Sequence, residues 1–172
     1  MAHEEDAMAE NLFTDCPDRI EQLKKYSDLA GLALPFEEAF GDKDAFKTSD
    51  EAMDLYFTML GELGKFASKE LRPWAAVIDR EGVQFKDGIV FLHEKVQSHL
   101  KRCSELGVFA GQIRRKYGGF YLPKVVQIIA LEILAEGCPN TALTVAAFSM
   151  GPFLEKWGTE EQKEKYLKPL IS

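Results

Sequence analysis

Hydrophobic residues recur at steps of three and four from Thr48 onward, which is the period of an amphipathic helix. The first strong stripe consists of Ala52, Leu55, Met59, Leu63 and Phe66. Thr48 and Glu51 have the spacing of a capping box, so we expect the helix to begin there. Gly61 and Gly64 each cost a helix interior about 1 kcal/mol unless another backbone packs closely against them. Pro73 is expected to kink or end the helix.

Two further helices follow from the same periodicity. The first carries an apolar face that Gly107 ends, and this face consists of Leu92, Val96, His99, Leu100, Cys103 and Leu106. The second begins at Pro123, and its apolar residues cover nearly every side of the helix. They are Val125, Val126, Ile128, Ile129, Leu131, Ile133 and Leu134. A helix that is apolar all round is buried, so we expect this one at the centre of the fold.

The last part of the chain carries two more helix signatures. Asn140 is expected to cap the segment TALTVAAFSMGPFLEKW, which Gly151 and Pro152 should bend before Gly158 ends it. Thr159 and Gln162 then form a second capping box, and a proline ends that helix. No segment shows the alternation of a half-buried strand. The sequence therefore predicts an all-α bundle of about six helices.

Residues 1–47 lack this sustained helical period. From Met1 to about Asp15 there are five acidic residues and no lysine or arginine, which is typical of a solvated tail. Asp18 to Leu29 is consistent with a short helix. The following segment, LALPFEEAFGDKDAF, mixes proline, glycine and aromatic residues and is expected to be an anchored connector. We therefore predict an acidic tail and connector over residues 1–47 and a helical domain over residues 48–172.

Composition and charge narrow the function classes. Of 172 residues, 46% are hydrophobic and 28% are charged, which is typical of a globular protein. The net charge of -7 disfavours nucleic acid and anionic lipid as the main partner. Three widely spaced cysteines indicate neither a disulfide framework nor a zinc site. The N-terminus is acidic where a signal peptide would be basic, and no apolar run is long enough to span a membrane, so we expect a cytoplasmic protein.

The candidate catalytic and metal-binding groups each have a more ordinary explanation. Tyr117-Gly118-Gly119 lacks the strand and helix that flank a phosphate loop, and the basic run Arg114–Lys116 before it is expected to be a solvated loop. His93 and His99 are six residues apart, outside the usual spacing of metal ligands. Glu132 and Glu136 are expected to be structural carboxylates beside a buried stripe. We therefore predict no catalytic residue and no metal ligand.

One helix face is the strongest candidate for binding. Leu143, Ala146, Ala147 and Met150 share a face of the helix after Asn140, at positions i, i+3, i+4 and i+7. The two alanines leave space beside larger neighbours. Such a face either accepts a neighbouring helix closely or forms one wall of a slot for an apolar ligand.

Four segments, taken in order, resemble the N-terminal helical domain of the acyl-CoA dehydrogenases. They are FASKELRPWAAVIDREG, CSELGVFAGQIRRKYGG, ALEILAEGCPNTAL and GTEEQKEKYLKPLIS. The resemblance covers about Asp50 to Ser172. The segment DREGVQFKDG is similar to larger bacterial members, which carry an additional N-terminal segment. Three local departures occur. Basic residues precede Tyr117 where the family has a proline and acidic residues, and Tyr121 replaces a common glycine. Gly151-Pro152 also lies one residue farther from Gly158 than in many relatives.

The resemblance implies a flavoenzyme that dehydrogenates an acyl-CoA to the enoyl-CoA. In that family a glutamate removes the α-proton while the β-hydrogen leaves as a hydride to FAD. The glutamate lies in a C-terminal helical domain, and most flavin contacts lie there and in a middle β domain. The resemblance therefore implies that this chain is a fragment that ends at a domain edge, holds no FAD alone and is not catalytic by itself.

The same resemblance implies a binding role and several partners. Leu143, Ala146, Ala147 and Met150 match the positions that flank the fatty-acyl tail. The implied partners are the acyl-CoA substrate, the middle and C-terminal domains, an electron-transfer flavoprotein or another acceptor, and further copies in a homo-oligomer. Two alternatives remain open: a non-catalytic helical interaction module built on the same scaffold, and an acyl-CoA oxidase relative. The acyl-chain length is also open.

Overall fold

The computed structural model describes residues 10–40 and 46–171, and over these residues the chain is the predicted all-α bundle. Among the described residues, six helices have ten residues or more, in agreement with the expected number. The helical segments are α1 (Pro17–Glu21), α2 (Leu29–Phe40), α3 (Ser49–Phe66), α4 (Arg72–Glu81), α5 (Glu94–Glu105), α6 (Lys124–Gly137), α7 (Pro139–Phe148), α8 (Gly151–Trp157), α9 (Glu160–Gln162) and α10 (Lys168–Ile171). Within the described part of the chain, no helix is both long and apolar enough to cross a bilayer.

The longest helix, α3, begins where the capping signal places it. The Thr48 side chain accepts a hydrogen bond from the Glu51 amide, and the Glu51 carboxylate accepts one from the Lys47 amide. One of the two capping-box hydrogen bonds, from the Glu51 amide to Thr48 Oγ1, is therefore present. The reciprocal bond is not formed, because the Glu51 carboxylate accepts from the amide of Lys47 and not from that of Thr48. Pro73 does not end the helix. A π-helical turn, Ala67–Leu71, leads directly into α4, whose first turn tolerates the missing amide of Pro73.

The central element is α6, as its apolar pattern predicts. Val126, Ile129, Ile133 and Leu134 are buried against α3 and α7. The burial is not uniform, however, because Ile128 and Leu131 are 59% and 39% exposed. These side chains leave one side of α6 open, and that open side borders the site described below.

The prediction of a solvated N-terminal tail is wrong for Leu12 and Phe13, which are 2% and 1% exposed. Both pack on α3, where the Leu12 amide donates to the Gly64 carbonyl at 3.2 Å. A Cβ at Gly64 would lie 2.6 Å from the Phe13 nitrogen, so only glycine allows this approach. Residues 1–9, which carry most of the acidic pattern, lie outside the described residues.

The prediction that the second half of the N-terminal segment is a connector is also wrong. Helix α2 occupies Leu29–Phe40 and contains Pro35, a residue that favours irregular structure. Leu29 and Ala33 are fully buried in the same core as α3. Several described residues of segment 1–47 therefore belong to the core of the helical domain.

A short β-hairpin occurs although no segment of the sequence shows the alternation of a strand. Strand β1 (Gln84–Lys86) pairs antiparallel with β2 (Ile89–Phe91). The turn residues Asp87 and Gly88 both have positive φ, of 53° and 80°, as a two-residue Asp-Gly hairpin turn requires. The hairpin side chains are exposed, so the hairpin does not alter the all-α core.

Helix α7 begins earlier than predicted, at Pro139, with Cys138 at the cap position. Asn140 is therefore not the cap, because Pro139 occupies the first helical position, where its missing amide is harmless. A break after Phe148 separates α7 from α8, as the Gly151-Pro152 signal indicates. The Thr159 and Gln162 capping box is complete, with both reciprocal hydrogen bonds present.

Candidate functional site

An apolar cleft of about 210 Å³ lies among α3, α6, α7 and the loop that joins α5 to α6. We call it the α3/α6/α7 cleft. Its main side chains are Met59, Leu60 and Leu63 of α3, Ile128, Leu131 and Leu134 of α6, Val145 and Ala146 of α7, and Ser149 directly after α7. Leu106, Val108 and Leu122 of the loop complete the apolar walls. The open side of α6 thus faces a cavity and not a flat surface.

The polar side chains of the cleft are hydrogen-bonded to protein groups. Gln112 Nε2 donates to Ser149 Oγ at 2.8 Å, and Lys124 Nζ donates to Gln127 Oε1 at 2.9 Å. Gln127 Nε2 in turn donates to the Leu122 carbonyl at 2.7 Å. Because these groups have partners within the protein, the rest of the lining is available for an apolar ligand.

Glycines fix the loop that forms one wall of the cleft. A Cβ at Gly119 would lie 1.9 Å from the Ile113 carbonyl oxygen, so the chain folds back on itself there without a side chain. The Phe120 amide then donates to the Ala110 carbonyl, and the Leu122 amide donates to the Gly111 carbonyl. The Tyr-Gly-Gly segment is therefore a structural turn, as predicted, and positions Leu122 in the cleft.

Of the four predicted binding residues, the structure places only Ala146 in the cleft lining. Leu143 and Met150 are 71% and 59% exposed, and Ala147 is also exposed. These three residues lie on the outer side of α7 and of the turn after it. The four residues thus form a solvent-facing apolar strip that meets the cleft at Ala146. Their role in binding stays a prediction.

Sequence reasoning missed two further residues of the cleft, Val145 of α7 and Ser149 directly after it. Val145 is nearly fully buried and was not distinguishable from an ordinary core residue. Ser149 lies three residues after Ala146 and so on the same helix face, which is the one signal that pointed to it. Gln112 was also missed, because its contact with Ser149 depends on the path of a glycine-rich loop.

Arg114 was expected to be solvated, and the structure corrects this expectation. Its backbone amide and guanidinium both donate to the carboxylate of Glu155, which is 7% exposed. The hydrogen bond to Glu155 raises the pKa of Arg114 above its usual value. The Arg115 guanidinium lies 4.9 Å from the centre of the Phe46 ring. Arg114 therefore holds the loop against α8.

The remaining titratable candidates lie in contacts within the protein. His99 is 5% exposed, its Nδ1 lies 3.0 Å from Thr141 Oγ1, and desolvation by burial lowers its pKa. Glu132 and Glu136 both form ion pairs with Arg19. Across residues 10–40 and 46–171, no group of three or more His, Cys, Asp or Glu side chains is placed to hold a metal ion.

Comparison with known proteins gives a consistent result. A family model described as "Acyl-CoA dehydrogenase, N-terminal domain" matches residues 58–172. The chain is 32% identical over 110 residues to the mitochondrial short-chain specific acyl-CoA dehydrogenase of Bos taurus, covering 62% of this chain and 24% of that protein. It is 33% identical over 117 residues to the probable acyl-CoA dehydrogenase YngJ of Bacillus subtilis, covering 66% of this chain and 28% of that protein.

A relative with a different printed activity also matches. The acryloyl-CoA reductase (NADH) of Anaerotignum propionicum is 29% identical over 130 residues, which is 74% of this chain and 30% of that protein. The chain thus spans about a quarter of the length of the curated relatives it matches.

Proposed function

The chain belongs to the acyl-CoA dehydrogenase family and carries its N-terminal domain, and from this premise we propose that it forms one wall of the acyl-chain slot in a flavin-dependent acyl-CoA dehydrogenase. The reaction is the α,β-dehydrogenation of an acyl-CoA thioester to the enoyl-CoA. One observation carries the proposal: the apolar strip of Leu143, Ala146, Ala147 and Met150 is exposed on α7 and adjoins an apolar cleft.

The strip contributes binding and orientation. Each methylene group of an acyl tail that leaves water against such a wall contributes about 0.8 kcal/mol. Ala146 and Ala147 let the tail approach the helix backbone closely, while Leu143 and Met150 provide larger apolar contacts. A tail held in this way fixes the position of the thioester at the other end of the substrate and keeps water away from it.

The chain contributes no group to proton abstraction in this proposal. Glu132 and Glu136 are in ion pairs with Arg19, and Glu155 is paired with Arg114. Each of these three carboxylates is held in place by its arginine partner, so we infer that none of the three reaches a substrate on α7. We therefore assign the base to a part of the enzyme outside the described residues.

FAD supplies the hydride acceptor when it is bound to the complete enzyme. The α3/α6/α7 cleft does not fit this group. Its volume of about 210 Å³ is below the range of about 300–1,000 Å³ typical of pockets for whole ligands. Its polar side chains also form hydrogen bonds with protein groups. The contribution that we propose for this chain is limited to the acyl tail.

The test compares this chain with the product of its complete reading frame. We expect the complete product to purify with a yellow flavin that is bleached by an acyl-CoA and reduces an electron-acceptor dye. We expect this chain alone to be colourless and inactive. Stoichiometric flavin and turnover from the chain alone would overturn the proposal. A complete product without flavin would instead identify an interaction module, and rapid oxygen consumption would identify an oxidase.

A further inference from the structure

We infer that the free edge of β2 (Ile89–Phe91) is a self-association surface, to which β2 of a second copy of this chain adds as an antiparallel strand. The two hairpins then form one four-stranded sheet, with Val90 of each copy beside the two-fold axis. This inference concerns assembly and does not depend on the proposed function.

The β-hairpin presents apolar side chains to solvent on both of its faces. Phe85 and Val90 are paired across the ladder and therefore share one face, while Ile89 and Phe91 lie on the other. These four side chains are 73%, 58%, 56% and 47% exposed, respectively. An isolated two-stranded hairpin has marginal stability in water, and further strands stabilise it. Exposed apolar side chains in such a group indicate a surface that another chain covers.

The two edges of the hairpin differ in how they are protected from pairing. Among the described residues, no further strand pairs with either edge. Strand β1 contains Gln84 and Lys86, and a lysine on an edge strand opposes the addition of another strand. Strand β2 consists of Ile89, Val90 and Phe91, without a charged or polar side chain. The β2 edge is therefore the one that accepts a further strand.

The register of the added strand follows from the hydrogen bonds of the hairpin. Lys86 and Ile89 flank the two-residue turn and form a hydrogen-bonded pair, so the next pair, Phe85 and Val90, is not hydrogen-bonded. The amide and carbonyl of Val90 therefore point away from β1, towards the free edge. When Val90 lies opposite Val90 of the second copy, each amide donates to the carbonyl of the other. This pairing closes a two-fold dimer, because both copies present the same edge.

This register also brings opposite charges together. It places Asp87, three residues before Val90, opposite His93 of the second copy, three residues after Val90 and at the start of α5. The first turn of α5 carries the positive end of the helix dipole and the side chain of Lys95 as well as that of Glu94. The turn of each hairpin is thus negative where the facing helix end is positive.

The contact between the copies is small. Each copy contributes one strand of three residues, so the buried area lies below the about 1,200 Å² at which standard specific interfaces begin. We therefore expect an association that depends on protein concentration, in addition to any contacts made by the rest of the complete protein.

Cysteine crosslinking tests the register. In a hydrogen-bonded antiparallel pair the two Cα atoms are about 5.5 Å apart, within the range that a disulfide spans. We expect Val90→Cys in the complete reading-frame product to form a disulfide-linked dimer on mild oxidation. Phe85→Cys, on the same face but on the other strand, is the matched control and should run as a single chain in non-reducing electrophoresis, like the wild type. Crosslinking of Val90→Cys no faster than that of Phe85→Cys would overturn the inference.

Sedimentation velocity over a range of concentrations measures the association itself. Val90→Pro removes the amide at the two-fold axis and leaves the hydrogen bonds to β1 in place, because that amide does not bond to β1. The dissociation constant should rise by about tenfold or more, since both hydrogen bonds between the paired valines are lost. Phe85→Pro removes the equivalent amide from the β1 edge and should leave the dissociation constant nearly unchanged.

Two sedimentation results would overturn the inference. One is a wild-type mass equal to that of Val90→Pro at every concentration, and the other is an equal loss of association in both proline variants. Equal helical circular dichroism of the three proteins shows that they are folded. Both proline positions lie in the exposed hairpin, outside the all-α core, so we expect this condition to be met.

Discussion

Gln112 Nε2 donates a hydrogen bond of 2.8 Å to Ser149 Oγ, across the side of the cleft where the loop after α5 meets the end of α7. Ser149 Oγ donates in turn to the Val145 carbonyl at 3.1 Å. Ser149 and Ala146 are three residues apart on the same lining face. This chain of hydrogen bonds therefore links the loop to the end of α7 at the lining of the cleft.

The Gln112–Ser149 contact predicts a measurable coupling. Ser149→Ala and Gln112→Ala should each lower the free energy of unfolding by about 1 kcal/mol, because each leaves a partly buried polar group without its partner. The double variant should lose less than the sum, by about 0.5–1.5 kcal/mol. Urea denaturation of the four proteins measures this difference. Strictly additive losses would mean that the two side chains do not interact in solution.

The two glycines of α3 predict opposite outcomes for the same substitution. A Cβ at Gly64 would lie 2.2 Å from Asn11 Oδ1, so Gly64→Ala should destabilise the fold by about 1–3 kcal/mol. A Cβ at Gly61 would meet only Thr14 Cγ2, at 3.9 Å, so Gly61→Ala should stabilise by about 0.5–1 kcal/mol. Unfolding midpoints in urea measure both effects.

Gly61→Ala is also the matched control, because it tests helix propensity in the same helix without the close approach. Equal effects of the two substitutions would contradict the packing of Leu12 and Phe13 against Gly64. From the sequence, a glycine within α3 is tolerated when another backbone packs closely against it. The structure shows such a close approach at Gly64 and not at Gly61.

His99 predicts a pH dependence of stability. Desolvation by burial, followed by the charges of Lys95 and His93, lowers its pKa below the ordinary value of 6.5, although a hydrogen bond with the Glu70 backbone opposes the shift. The unfolded chain therefore takes up a proton near pH 6.5 while the folded protein does not. The stability contributed by neutral His99 is fully present above pH 6.5 and is lost as the pH falls from there towards the folded pKa.

The measurement compares wild type with His99→Gln, whose amide can still face Thr141 without titrating. We expect the variant to be less stable at pH 8 and to lose less stability than wild type between pH 7.5 and 5.5. Unfolding midpoints at a series of pH values provide the comparison. Parallel pH profiles for the two proteins would show that His99 titrates as it does in the unfolded chain.

The helices from Thr48 onward could be predicted because their information is local. The apolar positions from Ala52 to Phe66 and those of α6 show the helical period within a few turns. The burial of Leu12 and Phe13 could not be predicted in this way, because it depends on a glycine about fifty residues away. Pro35 within α2 shows the same limit, since tertiary packing kept a helix where the local signal favoured irregular structure.

The candidate site likewise has one part that the local sequence predicts and one part that depends on tertiary packing. The strip on α7 follows from helix geometry, because Leu143, Ala146, Ala147 and Met150 have the spacing of one face. The cleft forms only where α3, α6 and the loop before α6 pack together. The local sequence pattern does not predict the relative arrangement of these elements. Gln112 and Ser149 are separated by 37 positions, so no local pattern links them.

The most direct test of the central claim is photo-crosslinking of the complete reading-frame product with a ten-carbon acyl-CoA that carries a diazirine at the end of its chain. Mass spectrometry then locates the label, and excess unlabelled decanoyl-CoA identifies the specific fraction. We predict that the displaceable label lies on α6, α7 or Met59 to Leu63 of this chain. Displaceable label found entirely outside residues 46–171 would contradict the claim that this domain forms a wall of the acyl slot.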